Sequence, residues 1–241
     1  MTKKMIGLAM AMALLFTLAA CGQAAPSSAA PSVAAESTPQ PAAATEAPAS
    51  SAEAPAEGAS TGADGKTLVV YFSVPDNRDN SYVEVNGERL GNTQYMAYII
   101  QENTGADLFR ILPTTPYPTD HDELLRVAQE EIRSKARPEI EGTIENFDSY
   151  GTVFVGYPNW NADLPYILYT FFESYDFSGK TIIPFNTHGG SGFSRTRETI
   201  AQLQPNAAVQ EGLSISRNDI EGSEPNIVEW LDQIGMRKAA Q

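Results

Sequence analysis

Cysteine is almost absent from this chain. Cys21 is the only one, so no internal disulfide can form. Histidine is nearly as scarce, with two in all. No cluster of His, Cys and carboxylates falls at metal-ligand spacing, so nothing suggests a metal site. Positive charge is short as well. The 16 Lys and Arg stand against 30 Asp and Glu, a formal net charge of −14. A surface that acidic argues against nucleic acid as a partner. No segment offers the ~20 consecutive apolar residues that a membrane span requires. Ser191 stands near His188, but no nucleophile-elbow pattern surrounds it, which leaves a hydrolase a weak reading. No aromatic residue occurs between Phe16 and Tyr71. Gly22 to Gly65 is nearly all Ala, Pro, Ser, Thr, Glu and Gly. Such a stretch buries too little apolar surface to offset its ordering entropy, and its prolines extend it.

The amino terminus carries a different signal. Lys3 and Lys4 form a basic region, and Ile6 to Ala20 an apolar one too short to span a membrane. It ends in Leu18-Ala19-Ala20-Cys21-Gly22, which resembles the bacterial lipobox. That resemblance implies cleavage before Cys21 and a diacylglyceryl group on its sulfur. An ordinary signal peptide with a chance cysteine is the alternative. The expected organisation is a lipoprotein signal peptide at 1–20, lipidated Cys21 with a disordered tether at 21–65, and a domain at 66–241. Lipid chains on a terminal cysteine hold a protein at the membrane without spanning it. The expected location is the extracytoplasmic face of a bacterial cell membrane. Cleavage removes Lys3 and Lys4 and no acid, so the mature chain is more acidic still.

The domain is punctuated by short apolar runs. Leu68-Val69-Val70-Tyr71-Phe72 reads as a first buried strand. Gly91-Asn92-Thr93 opens a helix through Met96, Ile99 and Ile100. Leu108 to Leu112 reads as a second strand. Thr119 or Asp120 caps a helix to Arg137, with Leu125, Ala128 and Ile132 on one face. Thr152-Val153-Phe154-Val155-Gly156 is the most apolar strand and suits the centre of a parallel sheet. A helix from Leu164 to Tyr175 follows, then a strand Thr181 to Phe185. Gly192 to Gln202 reads as a helix, Val209 to Ile215 as a fifth strand, and Pro225 to Ile234 as the last helix. Five alternations of strand and helix predict an α/β domain with a parallel sheet and helices on both faces. Pro184 lacks a ladder donor, so a local break is expected beside it. The stretch Tyr82 to Glu88 contains Asn86-Gly87, a favoured hairpin turn.

Three loops follow the carboxyl ends of strands, where open α/β sheets bind ligands. The first supplies Ser73, Gly91, Asn92 and Thr93, short hydroxyls and tight backbone at a helix amino terminus, as a phosphate requires. A plain helix cap at Asn92 explains the same residues. The second is Pro158-Asn159-Trp160-Asn161. Its indole can stack on a planar ligand or sit in the core. The third is Asn186-Thr187-His188-Gly189-Gly190-Ser191-Gly192. Its glycines let main chain approach a ligand, or merely provide positive φ.

The segments Val70-Tyr71-Phe72-Ser73, Gly91-Asn92-Thr93, Gly156-Tyr157-Pro158-Asn159-Trp160 and Phe185 to Gly192 together resemble the flavodoxin family. The likeness is strongest to flavodoxin-like domains of bacterial lipoproteins. Pro116-Tyr117-Pro118, Ala136-Arg137-Pro138 and Glu173 to Lys180 are similar too. The resemblance implies a three-layer sandwich with a five-stranded sheet in the order 2-1-3-4-5. Flavodoxin is the standard instance of that order, with flavin mononucleotide (FMN) at the switch point between strands one and three. By the same resemblance Ser73, Asn92 and Thr93 bind the FMN phosphate. Asn159 and Trp160 flank the flavin ring, and Thr187, His188, Gly189 and Gly190 form the second ring-contacting loop. The chain departs from the family at the inserted Val74 to Leu90, at Asn161 where relatives carry a second Trp, and at Ala162 near a position that is often Gly.

The implied function is electron transfer, as a carrier or as an FMN-dependent reductase of quinone or another acceptor. The implied partners are FMN, an electron donor, an electron acceptor and the membrane through the Cys21 lipid. An acidic surround, with Asp163 nearest, is expected to disfavour a negatively charged reduced flavin. His188 contributes through its backbone, or as a proton donor. The alternative is a non-catalytic module that binds a ligand or partner, using the insertion.

Overall fold

The structure is a computed structural model that describes residues 65–74 and 80–239. The expected signal peptide, Cys21 and all but the last residue of the tether lie outside the described residues. Among the described residues no helix is long and apolar enough to cross a membrane.

The central sheet is built from β1 (Lys66–Tyr71), β4 (Asp107–Arg110), β5 (Tyr150–Pro158), β6 (Thr181–His188), β7 (Ala208–Val209) and β8 (Leu213–Ser216). All its pairings are parallel. The order is β4-β1-β5-β6, with β7 and β8 both beside β6. This is the expected 2-1-3-4-5 order, with its last strand in two pieces.

Strand side chains point alternately to opposite faces, and here both faces are covered. Leu68, Val70, Val153, Val155 and Tyr157 pack against Ile167, Leu168 and Phe171 of α3 (Tyr166–Ser174) and Ile200 of α4 (Thr196–Leu203). Val69, Tyr71, Phe154, Ile183 and Phe185 pack against Met96, Ala97 and Ile100 of α1 (Asn92–Thr104) and Ile227, Trp230 and Leu231 of α5 (Glu224–Gln233). Burying one such side chain is worth about 1.5–3 kcal/mol, and two-sided burial explains why these strands read as unbroken apolar runs.

Where the sequence reading differs, packing supplies the reason. The second strand lies at 107–110, at the sheet edge, so Leu108 and Leu112 are exposed. The helix α2 (His121–Ser134) begins as expected, with the Asp120 carboxylate accepting the Glu123 N–H at 2.9 Å. It stops short of Arg137, because Lys135 turns left-handed at φ 52°. Its buried residues are Leu124 and Ala128, while Leu125 and Ile132 are exposed. A helix beside an edge strand buries a narrow stripe, and Leu124 claims it. The fourth strand runs on to His188, and α4 starts at Thr196 rather than Gly192.

The break at Pro184 is present. β7 pairs with Ile182 and β8 resumes at Phe185. Between them the chain swings around the proline, and Gly212 makes the turn at φ 75°. A Cβ on Gly212 would lie 2.0 Å from the Pro184 carbonyl oxygen. Gly212→Ala is therefore expected to lower stability by about 2 kcal/mol, from left-handed strain plus overpacking. Urea unfolding checks this, and an unchanged midpoint would refute it.

The insertion forms a hairpin of β2 (Tyr82–Val85) and β3 (Glu88–Gly91). Asn86 and Gly87 sit at φ 53° and 84°, the two left-handed positions of a type I′ turn. Val83 is buried in the α1/α5 side of the core, so the hairpin is docked at the start of α1.

Candidate functional site

A cleft of about 810 Å³, counted out to its open mouth, lies at the carboxyl ends of the parallel strands β1 and β5, where the strand order changes direction. All three expected loops reach it. Ser73, Asn92, Thr93, Pro158, Asn159, Trp160, Asn161, Thr187, His188 and Gly189 line its wall. Gly91 and Gly190 do not. Gly91 is the N-cap of α1. Gly190 turns the third loop at φ 121° and donates its N–H to His188 Nδ1 at 2.9 Å.

The amino terminus of α1 has no side-chain cap and no acid in its first turn. Asn92 is thus not the cap that the bland reading required. Its main-chain N–H reaches the Ser81 carbonyl at 3.0 Å, and its Nδ2 reaches the Asn80 carbonyl at 2.8 Å. The next amides have no intrahelical acceptor and keep the positive end of the helix dipole. Thr93 and Thr187 are both buried, and their hydroxyls lie 3.0 Å apart. One hydrogen serves that bond and the other remains for a ligand. The two threonines came from different expected loops; the fold makes them one group.

Trp160 lies between core and surface. It is half-buried, held edge-on by Phe72 at 5.4 Å and Tyr117 at 5.3 Å, and it still faces the cleft. Tyr117 in turn donates to Glu131 Oε1 at 2.8 Å. Burial raises the Glu131 pKa, against the opposing effect of that hydrogen bond, and burial also raises the Tyr117 pKa. Trp160 and Asp163 exchange two main-chain hydrogen bonds around Asn161 and Ala162, both at positive φ. Ala162 thus holds a left-handed position that a glycine adopts without strain.

Asn159 Nδ2 donates to Gly192 O at 2.8 Å and Ser194 Oγ at 3.1 Å, and its N–H to Thr187 O at 2.8 Å. The fully buried Asn186 also donates to Gly192 O, at 3.0 Å. These bonds fix the third loop against the second. Asn92 Oδ1 and Asn159 Oδ1 are buried with no partner. Burial lowers the His188 pKa, with Asp219 acting the other way. Since Nδ1 accepts the Gly190 N–H, the neutral ring carries its proton on Nε2.

One expectation is corrected. Asp163 was to give the site a negative surround. Its carboxylate instead accepts the Leu164 N–H at 2.8 Å and the Tyr169 hydroxyl at 3.0 Å, and it does not line the cleft. No carboxylate lines the cleft among the described residues, while Arg217 does. Val74, Asn80 and Ser81 come from the first expected loop, 73–93, though none was singled out; Arg217 and, on α2, His121, Leu124, Leu125 and Ala128 were unforeseen. The signal was available. The carboxyl ends of β4 and β8 border the same edge as the other strand ends, and the rule that located three loops applies to them too.

No curated protein matches this chain. A solved structure from Bacteroides eggerthii, provisionally named a flavoprotein, is 30% identical, with a TM-score of 0.55 over 71% of this chain and 98% of its own. Another from Bacteroides uniformis, named likewise, is 27% identical, with a TM-score of 0.54 over 70% and 98%. The family model described as flavodoxin matches residues 82–234, more than half of the chain. By that match, and by the identity with the first of these structures, this chain belongs to the flavodoxin family.

Proposed function

We propose that the cleft binds FMN and that the protein transfers electrons from a lipid anchor at the extracytoplasmic face of a bacterial membrane. The observation that carries the cofactor reading is the chemistry of the wall. In a chain with 30 acids, the described residues of the cleft include no carboxylate, and they supply an uncapped helix terminus, paired buried hydroxyls and, at Asn159, a buried amide oxygen without a donor. Buried polar atoms are normally paired, so orphans at a cleft mark where ligand atoms belong. The residues therefore fit a phosphorylated planar cofactor.

In this reading Ser73 and Thr93, with the second Nδ2 hydrogen of Asn92 and the first free amides of α1, hold the phosphate, since Asn92 Oδ1 can only accept. Asn159 accepts through Oδ1, and Gly189 offers close main chain. Trp160, its plane set by Phe72 and Tyr117, forms a wall against the ring. His188 donates from Nε2–H and stays neutral near pH 7, so it orients rather than charges the ring. When bound, the flavin supplies the redox chemistry; the protein supplies position and field. The absence of carboxylates among the described lining residues leaves a reduced, negatively charged ring less disfavoured than the overall charge suggests. The Leu18-Ala19-Ala20-Cys21-Gly22 segment supports the anchor, with Cys21 carrying the lipid.

The test is a visible-absorption titration of the purified protein with FMN. Binding at micromolar protein with a shifted flavin spectrum is expected. An unshifted spectrum with no saturation would end the cofactor reading and leave a binding module on the same fold.

A further inference from the structure

Arg217 follows β8 directly and lines the cleft with Ser73, Asn92 and Thr93. Its main-chain N–H donates to the His188 carbonyl at 2.8 Å. Its guanidinium carbon lies over Gly189, 3.4 Å from where a Cβ would stand. A glycine there gives the guanidinium its place. Asn218, next in the chain, accepts from Asn80 Nδ2 at 2.9 Å. Asn80 O and Ser81 O in turn accept from Asn92. This short relay ties the turn carrying Arg217 to the amino terminus of α1, and Arg217 lines the same cleft as Asn92 and Thr93.

The charge balance of Arg217 is unusual for this chain. Arg89, Arg126, Arg133, Arg137, Arg197 and Arg237 each pair with a carboxylate. Arg217 pairs with none among the described residues, and its Nε–H is buried without an acceptor. Arg110 and Arg195 also have no carboxylate partner among the described residues, and Arg110 Nε is buried without an acceptor, but neither lines the cleft. In a protein with so many carboxylates, an unpaired guanidinium in a cleft that an uncapped helix amino terminus also lines points to an anion supplied by the ligand. A guanidinium presents a planar fork of donors that matches phosphate oxygens two at a time. Helix amides and threonine hydroxyls donate hydrogen bonds to a phosphate but do not neutralise a dianion.

Resting on the FMN reading above, we infer that Arg217 is the counter-ion of the cofactor's phosphomonoester and sets the preference for phosphorylated over unphosphorylated flavin. The site takes a doubly charged terminal phosphate, and Arg217 closes over it from the β8 side.

The experiment compares the full chain with Arg217→Met, which keeps most of the apolar stem, and Arg217→Lys. FMN and riboflavin are each titrated at low and high salt by flavin fluorescence. Arg217→Met is expected to weaken FMN by about tenfold or more and riboflavin by less than about threefold. It is also expected to flatten the salt dependence of FMN binding, with Arg217→Lys lying between. Equal losses for both flavins would overturn the inference, since the role would then be structural or directed at the ring. Unchanged FMN affinity would overturn it as well while leaving the cofactor reading intact. A wild-type chain that binds neither flavin would sink both.

Discussion

Gly156→Ala is expected to destabilise the fold by about 2 kcal/mol, although alanine is the better strand residue. Gly156 pairs with Phe185 across the β5–β6 ladder. A Cβ on it would stand 2.2 Å from Phe185 Cζ and 2.3 Å from Cε2. Phe185 is fully buried, so its ring has nowhere to go without displacing the α1/α5 side of the core. Two effects oppose each other. Removing a glycine restricts the unfolded chain and stabilises by about 0.4–1 kcal/mol where the native backbone allows it. Overpacking a dense core costs about 1–3 kcal/mol, and the near-complete overlap places this case at the upper end. The clash therefore decides the sign. Urea unfolding should show the lower midpoint, and Gly156→Ala with Phe185→Leu should recover part of it, since contacting residues are not additive. A single variant at or above wild-type stability would sink the argument. The same glycine lies two residues before Pro158 in a strand that delivers Trp160 to the cleft, so a shifted β5 should also weaken ligand binding.

That pairing shows what the chain does and does not disclose. The central strands were legible because burial on two faces leaves a run such as Val153-Phe154-Val155 with no polar interruption. The Asn86-Gly87 turn was legible because few dipeptides adopt two left-handed conformations easily. Pro184 announced its own ladder break, but the compensating Gly212 could be assigned only once the chain was seen to wrap around the proline. Edges were harder. Leu125 and Ile132 satisfy a helical period as well as Leu124 does. Only the position of α2 beside the edge strand β4 shows which stripe is covered. The site followed the same division. Residues at strand ends in the three expected loops converge as the topology demands. Arg217 stayed invisible because one arginine in a charged sequence carries no local pattern. Its meaning comes from what is missing around it among the described residues, a carboxylate, and only the tertiary structure discloses that. Asp163 went the other way: adjacent to the ring-binding loop in sequence, it spends its charge on Leu164 and Tyr169.

The phosphate assignment makes the sharpest demand on Thr93. Its side chain is buried, and among the described residues its hydroxyl hydrogen-bonds Thr187 Oγ1 at 3.0 Å. Thr93→Val keeps the shape and deletes the hydroxyl. A hydrogen bond to a charged group contributes about 1.5–3 kcal/mol, so FMN affinity should fall by about ten- to a hundredfold. Riboflavin lacks the phosphate and should lose no more than a few-fold. Packing damage alone would weaken both flavins together, and that outcome counts against the assignment. Thr187→Val supplies the control. It breaks the same mutual hydrogen bond but leaves the Thr93 hydroxyl free to donate, so its FMN loss should be the smaller of the two. If the two variants lose FMN equally, the pair acts as a structural clasp between α1 and β6 rather than as a phosphate ligand. The helix terminus would then have to hold the anion without it. Combining Thr93→Val with Arg217→Met sharpens the point further. Both groups address one phosphate in this account, so their losses should fall short of additive, as coupled contacts do.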